Sequence, residues 1–392
     1  MPPIRLRRIQ LQVSKAAKFW PAICLIGPRQ VGKSTLLRSL KDFEYVTLDK
    51  IEAVELANKN PNAVLSPPCI IDEAQKAPPI FDAIKVDIDQ NRRPGKYILT
   101  GSVRFSKRTL IRESLTGRAK TVTMFPLTCA ETLEIVGLQS PWEKAFDKPR
   151  VERKEFLRYL KNGGMPGTFA VRKESEMASY WNAMIESYVF RDLLIAVSKN
   201  PRPQLALGIL NAIAEILAMG ELPTFSRILK KTGGTRSVFE KHLIGLEDLM
   251  IIHRISNRYG TAALDIFLPF DSAFFLSLLK VSNPLHDVAI HLACIYITLV
   301  NEALADASFC DRSEKLEYAE SPKGELVHLI TQTGNRPPVF RKISEEPVPH
   351  DYHLRFLSAL ATRENGNAIC LTSCEKGFQE GAIRVMPWEC VL

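Results

Sequence analysis

The sequence lacks the cysteine patterns of zinc-binding proteins. Its eight cysteines include no pair of CxxC units, and none lies near a histidine at the spacing of zinc ligands. The two that stand nearest to each other along the chain are Cys370 and Cys374. We therefore predict no zinc centre, and we expect thiols that are buried or unreactive in a reducing compartment.

Segments that would direct the chain to a membrane are also scarce. Read from the sequence, no apolar run reaches the length that a bilayer span requires. The first twenty residues are basic, but they lack the continuous apolar stretch and the small-residue cleavage site of a secretory signal. These absences predict a cytoplasmic protein with no membrane partner.

The composition is that of a globular protein with more than one domain. The 392 residues exceed what one hydrophobic core usually organises, so two or three domains are expected. The chain contains no internal repeat and no low-complexity tract. Its net charge of +9 favours an anionic partner, which is either nucleic acid or a phosphorylated ligand.

Short apolar strands alternate with helical segments in the first third of the chain. This alternation is typical of an α/β fold, in which a parallel sheet is covered by helices on both faces. We predict that residues 1–140 form this first domain. The predicted strands are residues 22–26, 45–49, 69–72, 97–102 and 121–126.

A glycine-rich turn follows the first of these strands and opens a helix. It reads GPRQVGKS and fits the pattern G-x-x-x-x-G-K-[ST] at every fixed position. Glycine is needed because backbone amides must turn inward around phosphates, and the following helix adds its positive amino end. Lys33 is expected to reach the β- and γ-phosphates of ATP, and the Ser34 hydroxyl to bind Mg²⁺. The predicted nucleotide-binding residues are Gly27, Pro28, Arg29, Gln30, Val31, Gly32, Lys33, Ser34 and Thr35.

Two adjacent acids end the third predicted strand, which reads CIIDE. Asp72 is expected to bind Mg²⁺ together with Ser34, either directly or through water. Glu73 is expected to act as the general base that polarises the attacking water. An apolar strand that ends in two carboxylates favours an enzyme over a protein that only binds nucleotide.

Further candidates lie on the next strand and beyond it. Thr100 or Ser102 could hydrogen-bond the γ-phosphate or the attacking water, because ligands collect at this edge of such a sheet. The alternative is a plain turn. Arg118 could stabilise charge in the transition state, in its own or a neighbouring subunit. An ordinary ion pair is the alternative for Arg118.

Residues 141–269 are predicted to form a helical linker and a winged helix-turn-helix. Residues 205–269 read as helix, helix, glycine turn, helix and two strands, which is the order of that motif. Its basic side chains either contact nucleic-acid phosphates or form a solvated face used for protein contact. Arg5, Arg7 and Arg8 leave the same two alternatives. The basic side chains of the motif are Arg227, Lys230, Lys231, Arg236, Lys241 and His242.

Several segments together resemble a prokaryotic family of AAA+-type P-loop ATPases. In chain order they are GPRQVGKSTLL, IIDEAQKAP, YILTGS, ESLTGRA followed by FPLTCAE, NGGMPG and SYVFRDLL. Members of that family join the ATPase module to a carboxy-terminal domain of uncharacterised function, and the resemblance covers about residues 15–260. It implies that Lys33 and Ser34 are Walker A residues and that Asp72 and Glu73 form Walker B. It also implies a winged-helix segment, with Thr100 as sensor 1 and Arg118 in a Gly-Arg motif.

The remaining residues, 270–392, are predicted to form a small α/β domain. In many proteins of this family the last segment resembles a restriction endonuclease, with an acidic strand residue followed by a Glu-x-Lys strand. Here Glu325 is followed by Leu-Val-His, and the later strand reads Val-Phe-Arg-Lys, ending at Lys342. Cleavage of phosphodiesters needs clustered acids to hold Mg²⁺. The resemblance therefore implies a nuclease-like domain without activity.

Together these patterns predict a Mg²⁺-dependent ATPase that acts as a switch or motor on nucleic acid. The alternative is an ATP-dependent regulator or adaptor that recruits a protein partner with little turnover. An Arg118 that serves a neighbouring subunit would require a homo-oligomer.

Overall fold

The amino-terminal part of the protein is built on a five-stranded parallel sheet. A computed structural model describes residues 5–101, 115–135, 151–171, 173–197, 200–280, 286–312 and 314–391. Across the sheet the order is β2-β3-β4-β1-β5, and every neighbouring pair is parallel. The predicted α/β architecture is thus confirmed. The strands are β1 Ala22–Ile26, β2 Glu44–Thr47, β3 Cys69–Asp72, β4 Tyr97–Gly101 and β5 Ala119–Thr123.

Helices cover both faces of this sheet. All five residues of β1 are buried, and their side chains alternate between two cores. Ile23 packs in the core that includes Val13 of α1, whereas Cys24 packs in the core that includes Ile84 of α4. Burial on both faces explains why the strand reads as an uninterrupted apolar run. The helices are α1 Ile9–Ala17, α2 Lys33–Leu37, α3 Ile51–Lys59 and α4 Pro79–Gln90.

A mostly helical region follows. It contains a single π-helical segment, Tyr188–Asp192, between two α-helices of the described part of the chain. The last three helices and the strands after them have the predicted order of helix, helix, glycine turn, helix and ribbon. The helices are α5 Cys129–Thr132, α6 Arg153–Asn162, α7 Glu174–Ser187, α8 Leu193–Ala196, α9 Pro203–Ala218, α10 Phe225–Thr232 and α11 Arg236–Asp248.

The second sheet has eight strands in the order β12-β13-β11-β10-β9-β8-β6-β7. The antiparallel ribbon of β6 and β7 belongs to it, because β6 also pairs with β8. The boundary that we predicted at residue 269 therefore lies within a sheet shared by both segments, and the division into domains stays a prediction. The strands are β6 Ile252–Asn257, β7 Ile266–Pro269, β8 Glu314–Glu320, β9 Leu326–Thr333, β10 Val339–Ile343, β11 Asn367–Thr372, β12 Phe378–Glu380 and β13 Ile383–Pro387.

Three helices complete this region: α12 Ser272–Leu279, α13 Val288–Phe309 and α14 Asp351–Arg363. The expectation that no apolar run could span a bilayer was wrong for α13, whose 22 residues reach a mean hydropathy of 1.7 in one window. Of that window 67% is buried inside the protein, as in the central helix of a core. All eight cysteines are free thiols, and six of them are buried.

Candidate nucleotide-binding site

The glycine-rich turn lies at the carboxyl edge of the first sheet. Residues 27–32 connect β1 directly to α2. Gly27 has no room for a side chain, because a Cβ there would lie 2.3 Å from the carbonyl oxygen of Met124. Gln30 and Gly32 have positive φ angles of 62° and 104°. Alternation of backbone handedness forms concave turns that bind anions, so the loop has the form its sequence predicts.

Lys33 is held inside this loop. Its Nζ atom donates to the carbonyl oxygens of Gly27 at 2.8 Å and Pro28 at 2.9 Å, and the residue is 5% exposed. Burial lowers the pKa of Lys33 to about 8, while the carboxylates of Glu73 and Asp72 act in the opposite direction. The side chain therefore remains mainly a cation at pH 7 and carries its charge into the loop.

The carboxylate of Asp72 lies at the end of β3 and faces the start of α2. It accepts hydrogen bonds from the hydroxyls of Ser34, at 2.7 Å, Thr100 and Tyr45. Asp72 is 3% exposed. Hydroxyl and carboxylate oxygens are the ligands that Mg²⁺ prefers, and Mg²⁺ usually takes only one or two from the protein. The residues at this point therefore fit a Mg²⁺ ion, with Ser34 and Asp72 as its protein ligands.

Glu73 follows in a left-handed conformation with φ of 59°. Its side chain accepts a hydrogen bond from Gln75, and its backbone N–H donates to the Thr100 hydroxyl at 3.4 Å. Thr100 is fully buried and thus ties the two acids together. Gln75 was missed by the sequence reasoning, although its position two residues after Glu73 was visible. Ser102, the alternative to Thr100, lies outside the described residues.

Arg118 lies at the amino edge of the sheet, opposite the carboxyl edge that carries the P-loop. Its carbonyl accepts from the N–H of Ala22 at the amino end of β1, which is about 17 Å long for five residues. Its guanidinium pairs with Asp89, with Nε and a terminal nitrogen at 2.7 and 2.6 Å from the two carboxylate oxygens. The structure therefore does not bring Arg118 to the phosphates of its own chain, and a role in a neighbouring subunit stays a prediction.

Comparison with known families agrees with this geometry. Residues 20–133 match the model of a family described as an AAA domain. The amino-terminal domain has the P-loop NTPase fold. Residues 153–262 match a second family, which is described as a domain of unknown function. The family model that matches the P-loop region thus has a described class, and the model that matches the helical region has no described function.

Individual relatives are distant. Two curated proteins are 29% identical over 195 residues: the uncharacterized proteins Mb2031c of Mycobacterium bovis and Rv2008c of Mycobacterium tuberculosis. The match covers 48% of this chain and only 40% of each relative, so the chain spans well under half their length.

Among solved structures, the Walker-type ATPase paby2304 of Pyrococcus abyssi is 17% identical with a TM-score of 0.44, over 69% of this chain and 94% of that one. The STAND protein PH0952 of Pyrococcus horikoshii, with a tetratricopeptide repeat sensor, is 10% identical with a TM-score of 0.29, over 79% and 48%.

Three other predicted residues of the P-loop have different surroundings, and one of them, Arg29, pairs with a residue far along the chain. Val31 is fully buried, and Thr35 is exposed on α2. The guanidinium of Arg29 forms a paired contact with Asp192 of the π-helix, at 2.7 and 3.0 Å. The hydroxyl of Tyr188 donates to the Arg29 carbonyl at 3.1 Å. The π-helix therefore lies directly against the P-loop, and only the motif SYVFRDLL hinted at its importance.

Arg7 and Arg8, near the start of the chain, are not part of a solvated edge. Arg7 pairs with Glu131 at 3.4 Å, and Arg8 pairs with Asp306 at 3.5 Å. The side chains of Arg7 and Arg8 are only 9% and 13% exposed. Both therefore belong to the interior where α5 and α13 meet.

The predicted basic face of α10 and α11 is partly neutralised. Lys231 pairs with Glu215 at 2.8 Å, and Arg227 lies 3.5 Å from Glu221. Lys230, Lys241 and Arg236 are exposed, the last with its guanidinium over a phenylalanine ring. His242 does not belong to this face.

His242 is 1% exposed and its Nε2 accepts from the N–H of Arg202 at 2.7 Å. Because Nε2 is the acceptor, Nδ1 carries the proton and donates to the carbonyl of Val238 at 2.7 Å. His242 therefore joins two helices and cannot contact phosphate.

The carboxy-terminal segment holds a half-buried lysine, Lys342, close enough to Glu325 for the two charges to interact. Lys342 of β10 donates to the carbonyl of Leu326 at 3.2 Å, and burial lowers its pKa. Burial lowers the pKa of His328 to about 3, and the ring accepts from the N–H of Ile343. Within the described residues no three His, Cys, Asp or Glu side chains come together as a metal site.

Proposed function

We propose that the protein is a Mg²⁺-dependent ATPase that works as a switch or motor on nucleic acid. One observation carries the proposal, namely the 2.7 Å contact between the hydroxyl of Ser34 and the carboxylate of Asp72. It brings two oxygens suited to Mg²⁺ to the end of a phosphate-binding loop that also holds the Lys33 cation. A protein that bound only an uncomplexed anion would not need the carboxylate.

In the proposed reaction water attacks the γ-phosphate in line with the departing ADP. Lys33 leaves the loop carbonyls and donates to phosphate oxygens. Ser34 and Asp72 hold Mg²⁺, which when bound neutralises charge on the phosphates. Glu73 orients the water and accepts its proton, and Gln75 fixes the Glu73 carboxylate beforehand.

The nucleotide state is proposed to reach the helical region through Arg29. A phosphate chain in the loop competes with Asp192 for the Arg29 guanidinium, and Asp192 is 1% exposed with few other partners of opposite charge. A change there moves the π-helix, and π-helical segments are often functional. Val197, which follows α8, packs closely against α11, because a Cβ on Gly245 of α11 would lie 2.6 Å from its side chain.

Helices α9 to α11 and the β6–β7 ribbon are proposed to form a winged helix that binds nucleic acid. Their order along the chain and the exposed Lys230, Arg236 and Lys241 support this. The carboxy-terminal segment is proposed to be nuclease-like but inactive, because Phe340 occupies the position of the expected acid near Lys342 and is fully buried.

The test of the ATPase assignment is turnover by the Lys33→Ala variant. Without the lysine, charge on the transferred phosphoryl group is not stabilised, and we expect hydrolysis to fall by about 100-fold or more. Phosphate release is measured with and without EDTA, and Lys59→Ala, an exposed lysine of α3, is the control. Unchanged hydrolysis by Lys33→Ala, or hydrolysis that does not need Mg²⁺, would refute the assignment.

The second candidate is an ATP-dependent adaptor that recruits a protein partner with little turnover. It is favoured by the ion pairs of Arg227 and Lys231, because bound carboxylates reduce the attraction of that face for phosphates. An adaptor would bind ATP but would show no salt-sensitive affinity for DNA.

A further inference from the structure

We propose that Arg7 positions the P-loop for nucleotide, an inference that rests on the ATP site proposed above. Arg7 lies 24 residues before Val31, in the segment that precedes α1. One terminal nitrogen of its guanidinium donates to the carbonyl of Val31 at 2.9 Å, and the other donates to the carbonyl of Phe125 at 2.5 Å. Arg7 is not part of the P-loop sequence pattern, and that pattern does not predict its contact with the loop.

The contact with Val31 fixes the direction of the next amide. A trans peptide is planar, so the carbonyl of Val31 and the N–H of Gly32 point in opposite directions. A guanidinium bound to that carbonyl therefore holds the Gly32 N–H away from Arg7 and turned toward the other side of the loop. Phosphate-binding loops work through such inward amides. Gly32 has a φ of 104° and no Cβ to restrict rotation about its backbone, so without Arg7 this peptide could turn away from that direction.

The contact with Phe125 joins the loop to the segment after β5. That segment already packs on the other end of the loop, where Met124 donates to Ile26 at 2.7 Å and its carbonyl faces Gly27. Arg7 thus links the Val31 end of the loop to the segment that already contacts the Gly27 end. The P-loop is held at Gly27 by close packing and at Val31 by the guanidinium.

The charge of Arg7 is already offset. Its Nε atom lies 3.4 Å from the carboxylate of Glu131, which also accepts from the N–H of Arg8 at 2.7 Å. The contribution of Arg7 to nucleotide binding is therefore the geometry of two hydrogen bonds from one planar group, and attraction over a distance adds little. A lysine keeps the charge but presents it as a point and cannot span both carbonyls in the same way.

Nucleotide affinity of the full chain tests this role. Dissociation constants of fluorescent ATP and ADP analogues are measured with Mg²⁺ by anisotropy at 25 °C, and the thermal midpoint of each sample is recorded. We expect Arg7→Ala to bind both nucleotides about tenfold more weakly, the effect of one lost charge-assisted hydrogen bond. Arg7→Lys should remain at least about threefold weaker than the unmodified protein.

Arg8→Ala is the matched control. Arg8 is the next residue, is similarly buried, and binds Asp306 and the ring of Phe309 without touching the loop. We expect Arg8→Ala to lower the thermal midpoint as Arg7→Ala does, but to leave nucleotide affinity within about twofold of the unmodified protein. Equal loss of affinity in both variants, or none in Arg7→Ala, would overturn the proposal for Arg7. Full affinity in Arg7→Lys would overturn the requirement for two carbonyl contacts. Absence of nucleotide binding by the unmodified protein would instead refute the ATP site.

Discussion

Three hydroxyl groups donate to the carboxylate of Asp72, and each comes from a different element. Ser34 belongs to α2, Tyr45 to β2 and Thr100 to β4. In the proposed site Ser34 and Asp72 would hold Mg²⁺, and the hydroxyls of Tyr45 and Thr100 would orient the carboxylate toward it. Burial and the contact with Asp72 raise the pKa of Tyr45, so its hydroxyl keeps the proton that it donates. Replacing partners that orient a metal ligand in this way typically lowers metal affinity by about 10- to 100-fold.

Tyr45→Phe is expected to weaken the binding of Mg²⁺ while leaving the P-loop intact. The variant loses one donor to Asp72, and we expect the Mg²⁺ concentration for half-maximal ATPase activity to rise about tenfold. Affinity for ATP measured in EDTA should not change, because no phosphate contact is removed. A magnesium titration of activity, with nucleotide anisotropy beside it, measures both quantities.

Tyr97→Phe is the control for this variant. Tyr97 lies at the amino end of β4, where its hydroxyl donates to Asp87 at 2.6 Å, so the same chemical group is lost at the other edge of the same sheet. It should leave the magnesium requirement unchanged. An equal shift in both variants, or none in Tyr45→Phe, would show that Tyr45 does not act through the metal site.

At the scale of elements, patterns within one segment were predictable and contacts between segments were not. The P-loop and the acid-tipped β3 depend on neighbouring residues, and parallel strands bring their carboxyl ends to one edge. That same rule could have placed Arg118 correctly, because it precedes β5 and so lies at the amino edge. Nothing local pairs Arg29 with Asp192, which stands 163 residues later.

The contact between the P-loop and the π-helix leads to a prediction for Asp192→Asn. The variant keeps the size of the side chain but loses the charge-assisted pair with Arg29, so unfolding free energy should fall by about 2 kcal/mol. ATP should still bind, because the variant removes a negative charge near the loop that is proposed to hold the phosphates. We expect ATP to change the hydrogen exchange of α8 and α11 in the unmodified protein, and we expect no such change in Asp192→Asn.

Asp89→Asn serves as the comparison. It breaks another paired contact between an aspartate and an arginine, Arg118, but at the amino edge of the sheet. We expect its response of α8 and α11 to ATP to equal that of the unmodified protein. If Asp192→Asn kept this response, the nucleotide state would have to travel by another route.

At the scale of the whole molecule, the two sheets are joined by helices and by side chains from distant parts of the sequence. Arg8 pairs with Asp306 of α13, 298 residues away. The β6–β7 ribbon was predictable from its alternation, but its pairing with β8 was not, because register between strands separated by two helices leaves no local pattern. This continuity means that a displacement of α9 to α11 would also act on the carboxy-terminal sheet.

The charge of the molecule gives the last prediction, which separates a nucleic-acid switch from an adaptor. Of the basic residues on the predicted winged helix, Lys230 and Lys241 are exposed and have no ion pair among the described residues. Their replacement by glutamate changes the net charge from +9 to +5. We expect weaker duplex DNA binding by about tenfold at ~0.1 M salt, and a slope of log affinity against log salt that is shallower by about 2.

The control carries the same charge change elsewhere. Lys59→Glu with Lys85→Glu alters two exposed lysines of α3 and α4 on the P-loop domain. If net charge alone attracted DNA, both double variants would lose affinity equally. If the DNA lies on the winged helix, Lys59 and Lys85 should contribute little, because exposed charges more than about 10 Å apart are largely screened at ~0.1 M salt. A loss confined to Lys230 and Lys241 would locate the DNA on the winged helix. DNA binding that is absent or insensitive to salt in the unmodified protein would favour the adaptor, because release of counterions accompanies any binding through phosphates.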